Sequence, residues 1–480
     1  MAKRLDRREF LKGVGAAGAA LAAGSLARGA SSGQFRTPRP ARGQRSVAGY
    51  AAPRMETVRL GFIGVGARGS GHVSQLLQIE GVEVRAICDL YDDWAARSRK
   101  ACVDRGRPEP ALYVNGKDEY KKLLDRDDLD AVFISTPWED HARMAVDAMN
   151  RGKHAFLEVP ACVTLDECWQ LVDTAERTQR HCMMMENVNY GREELMVLNM
   201  CRLGVLGELL HGEAAYIHDL RGQMHEVQRG TGSWRTVHYQ KRNGNLYPTH
   251  GLGPVCQYMN INRGDRMDFL SSVSSNARAR AEYARKNFPP DHKWNTGKFV
   301  CGDINTTIVR TVMGKTILIQ WDEQLPRPYN RLNLIQGTKG VWGGFPNRLA
   351  VEGPPRPSGG EGAGGEGSGR HLATRSTDSW AQGEALRPFF ERYDHPLWKR
   401  VAALPENQGG HGGMDFVMLW RIVYCLRNGL PLDQDVYDAA AWTAVSPLSE
   451  WSVANRGRTV DVPDFTRGKW KEMPPLGIVS

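Results

Sequence analysis

The run VRLGFIGVGARG, Val58–Gly69, joins an apolar strand-like segment to a glycine-rich turn. Gly64, Gly66 and Gly69 follow a Gly-x-Gly-x-x-Gly pattern that opens a helical stretch. In such a turn the first glycine makes the bend, the second lets the backbone approach a pyrophosphate, and the third lets helix and strand pack together. Asp89 stands twenty residues after Gly69, at the end of the next strand-like run, where a carboxylate can accept from ribose hydroxyls. The pattern predicts a dinucleotide site.

Asp89 also distinguishes between the two nicotinamide dinucleotides. Its charge would repel the extra phosphate of NADP, and no arginine follows immediately in Leu90–Asp93. Arg68 adds a cation beside the phosphates. We therefore expect NAD as the cofactor.

A second ligand-binding segment, Ser135–His141, lies just past another strand-like run. This is the carboxyl edge of the predicted sheet, where the ligands of open α/β sheets bind. Loop packing and helix capping are the alternative roles for Trp138 and His141.

Strand-like runs alternate with helical patterns from Val58 onward, which indicates βαβ units and a parallel sheet. The predicted strands are Val58–Ile63, Val82–Cys88, Ala131–Ile134, Ala155–Leu157 and Cys182–Met185. The predicted helices are Gly71–Ile79, Trp94–Cys102, His141–Asn150 and Leu165–Arg180, the last with Thr164 as N-cap. We predict an α/β Rossmann dinucleotide-binding domain over residues 57–185.

Beyond Glu186 the strand candidates include neighbours joined by short glycine turns, such as Met313–Lys315. These strands are Leu210–His218, Asp268–Ser274, Asn305–Val312, Thr316–Trp321 and Arg331–Gln336, followed by helical patterns at Asp415–Asn428 and Val436–Ala454. They predict an α+β substrate-binding domain over 186–480, built on a largely antiparallel sheet. Within it, residues 352–378 are rich in Gly, Pro, Ser and Glu and are expected to form a flexible surface insertion.

The first 30 residues resemble a twin-arginine export signal. Arg7–Lys12 reads RREFLK, a weakly apolar Gly/Ala stretch covers Gly13–Leu26, and small residues surround Arg28. The four glycines of that stretch disfavour the alternative, a basic amphipathic helix. Residues 31–56, rich in Gly, Pro, Ser and Arg, are predicted to form a disordered linker. Export of an already folded chain by the twin-arginine machinery predicts a tightly held cofactor and a periplasmic or extracellular location.

Composition, charge and cysteine spacing argue against several classes of protein. The 480 residues carry a formal charge of +9, but the basic residues are scattered with no run interleaved with aromatics, which argues against nucleic-acid binding. No stretch after residue 30 reaches the roughly 18 consecutive apolar residues of a membrane span. Nine cysteines without paired or metal-ligand spacing indicate folding under reducing conditions and predict no metal site.

Two short motifs resemble the Gfo/Idh/MocA oxidoreductase family: Thr136-Pro137 with His141, and Glu158-Val159-Pro160. In that family a Glu-Lys-Pro motif supplies a catalytic lysine, and Val159 stands at the lysine position here. A neutral aliphatic side chain cannot relay a proton, so the usual dehydrogenase mechanism of the family is not expected.

The second domain contains a series of short motifs: Glu186–Val188, Tyr216–Arg221, Trp234–Thr236, Lys241–Gly244, Tyr247–Pro254, Pro328–Tyr329 and Gln336–Thr338. Together they resemble glycoside hydrolase family 109, the NAD-dependent α-N-acetylgalactosaminidases, and the resemblance covers about Val58 to Trp470, apart from the insertion. It places Ala67, Arg68, Asp89, Trp138, Glu139, Asp140, His141, Glu158, Val159 and Asn187 at NAD. It places Tyr216, Arg235, Tyr247, Pro248, Thr249, His250 and Tyr329 at the sugar.

The resemblance implies hydrolysis through transient oxidation of the sugar at C3, elimination, water addition and re-reduction, with NAD recycled in each turnover. His250 is the first candidate for acid/base work because the ordinary pKa of an imidazole lies near neutrality. Tyr247 and Tyr329 are its hydroxyl partners. His218 and His411 are further residues that either approach the pocket or have structural roles.

Two other functions stay open: an exported sugar oxidoreductase of the same superfamily, and a non-catalytic sugar-binding protein that keeps NAD as a structural part. An open face of the antiparallel sheet is a candidate surface for a homo-oligomer.

Overall fold

The computed structural model describes residue 35 and residues 37–353, 372–404 and 410–477. The predicted export signal and most of the predicted insertion, 354–371, lie outside these residues. Across the described ranges, no helix has the length and apolar character needed to traverse a bilayer.

The first domain is the predicted Rossmann domain. Its strands are β1 (Val58–Ile63), β2 (Val82–Cys88), β3 (Ala111–Tyr113), β4 (Ala131–Ile134), β5 (His154–Leu157) and β6 (Cys182–Met184). Its helices are α1 (Ala67–Leu76), α2 (Asp92–Asp104), α3 (Glu119–Leu124), α4 (Trp138–Asn150) and α5 (Leu165–Thr178). The strands pair in parallel in the order β3-β2-β1-β4-β5-β6, the doubly wound arrangement that creates a ligand crevice where the order reverses beside β1.

Local sequence explains these elements well. All residues of β4 and β5 are buried, as expected for strands covered on both faces. Thr164 forms the predicted N-cap of α5: its hydroxyl accepts from the Glu167 N–H at 3.2 Å, and the Glu167 carboxylate accepts from the Thr164 N–H at 2.9 Å. The prediction missed β3 and α3, which are too short to show a period.

The second domain is the predicted α+β domain. Its strands are β7 (Leu209–Ile217), β8 (Met267–Ser274), β9 (Asn305–Thr311), β10 (Thr316–Asp322), β11 (Leu334–Gly337), β12 (Gly340–Gly343), β13 (Arg348–Val351), β14 (Ala381–Gln382) and β15 (Val460–Asp461). Its helices are α6 (Arg192–Arg202), α7 (Thr231–Lys241), α8 (Thr249–Tyr258), α9 (Ala279–Asn287), α10 (Lys293–Thr296), α11 (Arg387–Tyr393), α12 (Pro396–Val401), α13 (Met414–Asn428) and α14 (Val436–Ala454). Shorter 3₁₀ turns cover Asn187–Tyr190, Arg221–His225, Gly383–Leu386, His411–Gly413 and Lys469–Lys471.

The sheet of the second domain, as far as the described ranges show it, has the strand order β14-β13-β12-β11-β7-β10-β9-β8-β15. Its neighbours are antiparallel except for β7 and β10, which run parallel at the centre. The predicted turn at Met313–Lys315 does join β9 to β10, with Gly314 at φ +93°. Helix α14 packs on both α5 and β8 and so connects the two domains.

Residues 37–56 differ from the predicted disordered linker, because they are packed against the folded body. The Val47 side chain is buried, and its N–H donates to the Tyr437 hydroxyl at 3.0 Å. The Met55 N–H donates to the Leu426 carbonyl at 3.1 Å. This stretch has no apolar period in its sequence. The residues that it contacts on α13 and α14 are distant in the chain and come close only when the protein folds. The sequence alone therefore could not indicate that the stretch is ordered.

Candidate active site

A cavity of about 990 Å³ lies along the carboxyl ends of β1, β2, β4 and β5 and is walled on its other side by the second domain. The predicted site residues that line it are Gly64, Gly66, Ala67, Arg68, Asp89, Trp138, Asp140, His141, Glu158, Val159, Asn187, Tyr216, Arg235, Tyr247 and His250. Gly69, Glu139, Pro248, Thr249 and Tyr329 do not belong to this lining and are described below with their neighbours.

The glycine-rich turn has the backbone that a bound pyrophosphate requires. Gly64 has φ +85°, and a Cβ at Gly69 would lie 2.1 Å from the Gly64 carbonyl oxygen, so helix α1 packs directly on the turn. A Cβ at Gly66 would meet the Trp94 ring at 2.9 Å. Among the described residues no side chain caps the N-terminus of α1, and its first turn carries no acid. Its N–H groups and the helix dipole therefore favour an anion.

Asp89 lies at the end of β2 and holds the glycine-rich turn from the other side. One carboxylate oxygen accepts from the Val65 N–H at 2.7 Å and the other from the Tyr91 N–H at 2.9 Å. Burial raises the pKa of Asp89, and these two N–H groups offset part of that rise. Each carboxylate oxygen can accept a further bond, so the arrangement fits a ribose diol.

Arg68 bridges the two domains instead of standing alone. Its guanidinium lies 3.1 Å from Glu158 and 2.8 Å from Asp415, at the start of α13. Asp415 also accepts from the Asn187 amide at 2.6 Å, and the Asn187 Oδ1 atom is buried without a partner among the described residues. Burial opposes ionisation of Glu158, but the Arg68 charge and the hydrogen bond to His72 hold its pKa well below the usual range. Glu158 is therefore an anion at neutral pH.

The segment at the start of α4 has several distinct roles. Trp138 is buried, and the Arg235 guanidinium lies 4.9 Å above its ring. Glu139 points to His238 of α7 at 3.2 Å, so it joins the domains. Both ring nitrogens of His141 lie within hydrogen-bonding distance of backbone carbonyl oxygens: Nδ1 lies 2.7 Å from that of Pro160, and Nε2 lies 2.8 Å from that of Thr136. His141 therefore fixes the backbone around Val159 rather than presenting a nitrogen to a ligand.

Aromatic side chains form the end of the cavity that lies in the second domain. The Tyr216 ring lies 4.8 Å from that of Tyr247 and 5.1 Å from that of His250. Tyr329 lies at the rim, 38% exposed, with its ring 6.0 Å from Tyr216. A backbone bridge between Ile217 and Asn330 brings it there. Burial raises the pKa of Tyr216, Tyr247 and Tyr329, so their hydroxyls stay protonated and can donate.

His250, in the first turn of α8, is oriented by a residue whose role the sequence did not reveal. Its Nδ1 lies 2.7 Å from Oε1 of Glu186, whose side chain is fully buried. A carboxylate only accepts, so Nδ1 carries the proton and Nε2 is the nitrogen available to a ligand. Pro248 sets the start of α8, and Thr249 is buried behind it. Glu186 stood in a motif of the resemblance, but nothing in its spacing pointed to His250.

Comparison with known proteins follows the same division of the chain. Residues 190–472 match the family model "Glycosyl hydrolase 109, C-terminal domain", and residues 58–186 match "Oxidoreductase family, NAD-binding Rossmann fold". Over 476 residues the chain is 57% identical to "Glycosyl hydrolase family 109 protein 1" of Shewanella sp. (strain MR-4), and the match covers 99% of each chain. The chain belongs to glycosyl hydrolase family 109. Over the same length it is 56% identical to "Alpha-N-acetylgalactosaminidase" of Shewanella oneidensis, again with 99% of each chain covered.

Solved structures place this family 109 chain within a wider fold. Levoglucosan dehydrogenase in complex with NADH and levoglucosan superposes with a TM-score of 0.61 at 17% identity, covering 85% of this chain and 100% of that one. An oxidoreductase domain protein from Kribbella flavida gives the same TM-score, identity and coverage. At such identity the likeness shows the fold alone, a Rossmann domain followed by a sheet domain.

The family 109 site contains a further residue that sequence reasoning missed. Glu323, just after β10, is fully buried and accepts from the Arg235 guanidinium at 3.2 Å and from the Tyr239 hydroxyl at 2.5 Å. It neutralises Arg235 and holds it over the rings of Trp138 and Tyr247. No pattern in the sequence pairs residues 88 positions apart. In the described part of the chain, no group of three or more His, Cys, Asp and Glu residues is arranged to hold a metal ion.

Proposed function

We propose that this family 109 protein is an α-N-acetylgalactosaminidase that hydrolyses its substrate by a redox route on NAD that it keeps bound. The sugar is oxidised at C3, the glycosidic oxygen is eliminated across C1 and C2, water adds at C1, and C3 is reduced again. The proposal rests on the relative that bears this name, on the NAD-binding Rossmann domain and on the chemistry of the cavity.

The observation that carries the proposal is that the carboxylates of the cavity are already engaged. A conventional glycosidase needs two carboxyl groups beside the scissile bond, one of them protonated. Among the described lining residues, Asp89 accepts from backbone N–H groups, Asp140 pairs with Arg143, Glu158 pairs with Arg68 and His72, and Glu226 accepts from the Gly232 N–H. Tyrosine hydroxyls and the imidazoles of His218 and His250 also line the cavity, and these groups suit a route that acidifies a C–H bond.

The residues fit the cofactor. The glycine-rich turn and the N-terminus of α1 would hold the pyrophosphate, Asp89 the ribose, and Val159 and Asn187 the nicotinamide end. When bound, NAD supplies a hydride acceptor for C3 and returns the hydride at the end of the cycle. Val159 gives this end an apolar wall with no proton-relaying group.

His250 is positioned for the proton transfers. With Nδ1 held by Glu186, its Nε2 is available to take the proton from C2 of the oxidised sugar and to return it. Oxidation at C3 releases the proton of the C3 hydroxyl to water, and Tyr247 and Tyr329, both protonated, would then donate to the C3 ketone oxygen or to the leaving oxygen. Arg235 and Tyr216 would bind the acetamide and the sugar face. In this scheme Glu186 and Glu323 are positioning residues.

Hydrolysis of p-nitrophenyl α-N-acetylgalactosaminide in deuterated water tests the route. We expect release of nitrophenol and deuterium at C2 of the product, because elimination removes that proton and water replaces it. Release without C2 exchange would contradict the redox route. No release from this or other hexosaminides, with oxidation of free sugar by the NAD-loaded protein, would establish the sugar oxidoreductase instead. Ligand binding without any turnover would indicate the non-catalytic alternative.

Two variants test the assigned roles. His250→Ala should lower kcat about 10²- to 10⁴-fold by removing the base, and Glu186→Gln about 10- to 100-fold with little change in KM, because only the imidazole orientation is lost. His211→Ala is the matched control, since His211 lies on β7 and bonds to Thr316 outside the cavity. Full turnover by His250→Ala would remove His250 from the mechanism.

We also propose that the chain is exported by the twin-arginine route with NAD already bound, and that the outer face of the second sheet mediates self-association. The proposed export predicts that replacing Arg7 and Arg8 by lysine retains the protein in the cytoplasm.

The proposed self-association rests on Val273 and Ile308, which are more than half exposed on neighbouring strands. Light scattering of an Ile308→Glu variant should then give a lower mass than that of the unmodified protein.

A further inference from the structure

A loop of the second domain forms the outer wall of the cavity opposite the glycine-rich turn. It runs from the end of β7 through the 3₁₀ turn Arg221–His225 to the start of α7, and its Leu220, Gln223, Glu226 and Arg229 side chains line the cavity. The first domain faces it with Tyr91, Trp94 and Arg97. Because Asp89 lies just before Tyr91, this is the part of the cavity where the ribose and base of a dinucleotide would lie.

Arg229 spans the opening between these two walls. Its guanidinium donates to both carboxylate oxygens of Asp93, at 2.9 Å and 3.0 Å. The same guanidinium lies 5.4 Å from the centre of the Tyr91 ring and 5.2 Å from that of Trp94. Trp94 in turn lies against Gly66 of the glycine-rich turn. A continuous row of contacts therefore runs from the second domain, through Arg229 and Trp94, to the predicted pyrophosphate site.

We propose that Arg229 is a latch that retains the dinucleotide by closing this end of the cavity against Asp93, Tyr91 and Trp94. The inference rests on the proposed function in that it takes NAD as the occupant. It assigns to Arg229 control over the rate at which the cofactor leaves. A cofactor that is reduced and then re-oxidised within every turnover has no need to leave, so slow release serves this reaction, whereas a dehydrogenase must exchange its cofactor.

The exposure of the latch sets its strength. The side chains of Arg229 and Asp93 are 46% and 60% exposed, so the ion pair alone is screened by solvent and salt. The two ring contacts add to it, and all three must break together for the loop to move away. We expect a latch that opens rarely but can open during loading, and that weakens as ionic strength rises.

The same loop provides a matched control. Arg221 forms the same kind of contact, an ion pair with Asp219 at 2.7 Å and a position 5.4 Å above the Tyr283 ring. Both of its partners belong to the second domain, so it cannot join the two walls. Arg221→Gln removes an equivalent interaction from the loop without touching the opening.

Release of radiolabelled NAD from the preloaded full-length protein into an excess of unlabelled NAD tests the proposal. We expect Arg229→Gln to raise the release rate about tenfold and Asp93→Asn about threefold, with Arg221→Gln unchanged. Raising the salt concentration should speed release from the unmodified protein but not from Arg229→Gln. Melting curves of the three variants report whether each has folded.

Four outcomes would overturn the latch. One is release from Arg229→Gln at the rate of the unmodified protein, with NAD still tightly held. Another is an equal acceleration in Arg221→Gln, which would indicate general loosening of the loop. Both leave the proposed function standing. The third is an unmodified protein that neither contains nor takes up labelled NAD, which would remove the proposed function together with the latch. Salt-independent release from the unmodified protein would contradict the proposal even if a variant failed to fold.

Discussion

The two domains differ in where they bury charge. In the Rossmann domain the central strands β4 and β5 are wholly buried, and away from the cavity ion pairs such as Arg126–Asp128 keep about a third of each side chain exposed. In the second domain, Arg263–Asp438 and Arg331–Glu194 have side chains that are at most 10% exposed. The first domain therefore depends on apolar packing that local sequence specifies. The second depends on long-range pairing of charges, whose loss leaves an uncompensated ion in the interior.

The largest effect should come from removing apolar volume in the first domain. Phe62 of β1 is fully buried and stacks on Phe133 at 5.3 Å. Phe62→Ala should lower the free energy of unfolding of this domain by about 3–5 kcal/mol, measured from hydrogen exchange of β1 and β4 in denaturant. Val103→Ala, on the exposed face of α2 in the same domain, is the control and should change little. If both changes lowered the free energy of unfolding equally, buried apolar packing would not be what stabilises the first domain.

Breaking a buried ion pair should be the next largest effect, and it belongs to the second domain. Arg263→Met leaves the buried Asp438 without its cation and should lower the free energy of unfolding by about 3 kcal/mol. Arg126→Met in the first domain removes an exposed pair and should lower it by less than about 1 kcal/mol. Denaturant midpoints of the two variants, followed by tryptophan fluorescence, provide the test. Similar shifts of the two midpoints would show that the buried ion pairs of the second domain stabilise the protein no more than the exposed pairs of the first.

Acid should destabilise the second domain through His395. Burial lowers the pKa of His395 to about 4, beside the Arg421–Asp433 pair, and its Nδ1 accepts from the Leu397 N–H at 3.1 Å. An unfolded histidine binds its proton near pH 6.5, so stability present above that pH is lost as the pH falls towards 4.

Between pH 7 and pH 5 this histidine should account for a loss of about 2 kcal/mol. His395→Asn keeps an acceptor for the Leu397 N–H but does not titrate, so its free energy of unfolding should fall by about 2 kcal/mol less over the same interval. Urea unfolding at the two pH values measures the difference. The same pH dependence in both proteins would contradict the assignment.

The smallest effect should come from a local feature of the first domain. Thr164→Ala removes the hydroxyl that caps α5 and should lower the free energy of unfolding by about 1 kcal/mol, whereas Thr164→Ser should retain most of it. Thermal unfolding of both variants measures the two changes in stability. A serine variant as unstable as the alanine one would show that the methyl group, rather than the cap, matters.

The contrast between local packing in the first domain and long-range contacts in the second also explains how far the fold could be predicted from the sequence. The bounds of β1, β2 and β4 agree with the sequence pattern, because β4 is an apolar run that follows Asp130, and the charged residues of β1 and β2 alternate with apolar ones up to Gly64 and Asp89. In the second sheet, β11 begins at Leu334 instead of the predicted Arg331, and the short β12, β13 and β14 were not predicted. Strands of two to four residues show no period, and the parallel pairing of β7 with β10 is a long-range feature.

In the site, the sequence indicated most residues that line the cavity but not the residues that hold them. The glycine-rich turn and Asp89 have a fixed spacing, and the resemblance supplied Tyr216, Tyr247 and His250. Glu186 and Glu323 act through contacts with side chains 64 and 88 positions away, which no local pattern encodes. For His141 the alternative of loop packing agrees with its two carbonyl contacts.

The ordered stretch 37–56 matters for anyone who wishes to produce the protein. A shortened gene that starts at residue 57, where the sequence pattern of the first domain begins, would remove the segment that covers the Tyr437 hydroxyl and the end of α13. Newly exposed apolar surface there would favour aggregation and low yield during expression. Truncations intended for crystallisation should therefore begin no later than Thr37.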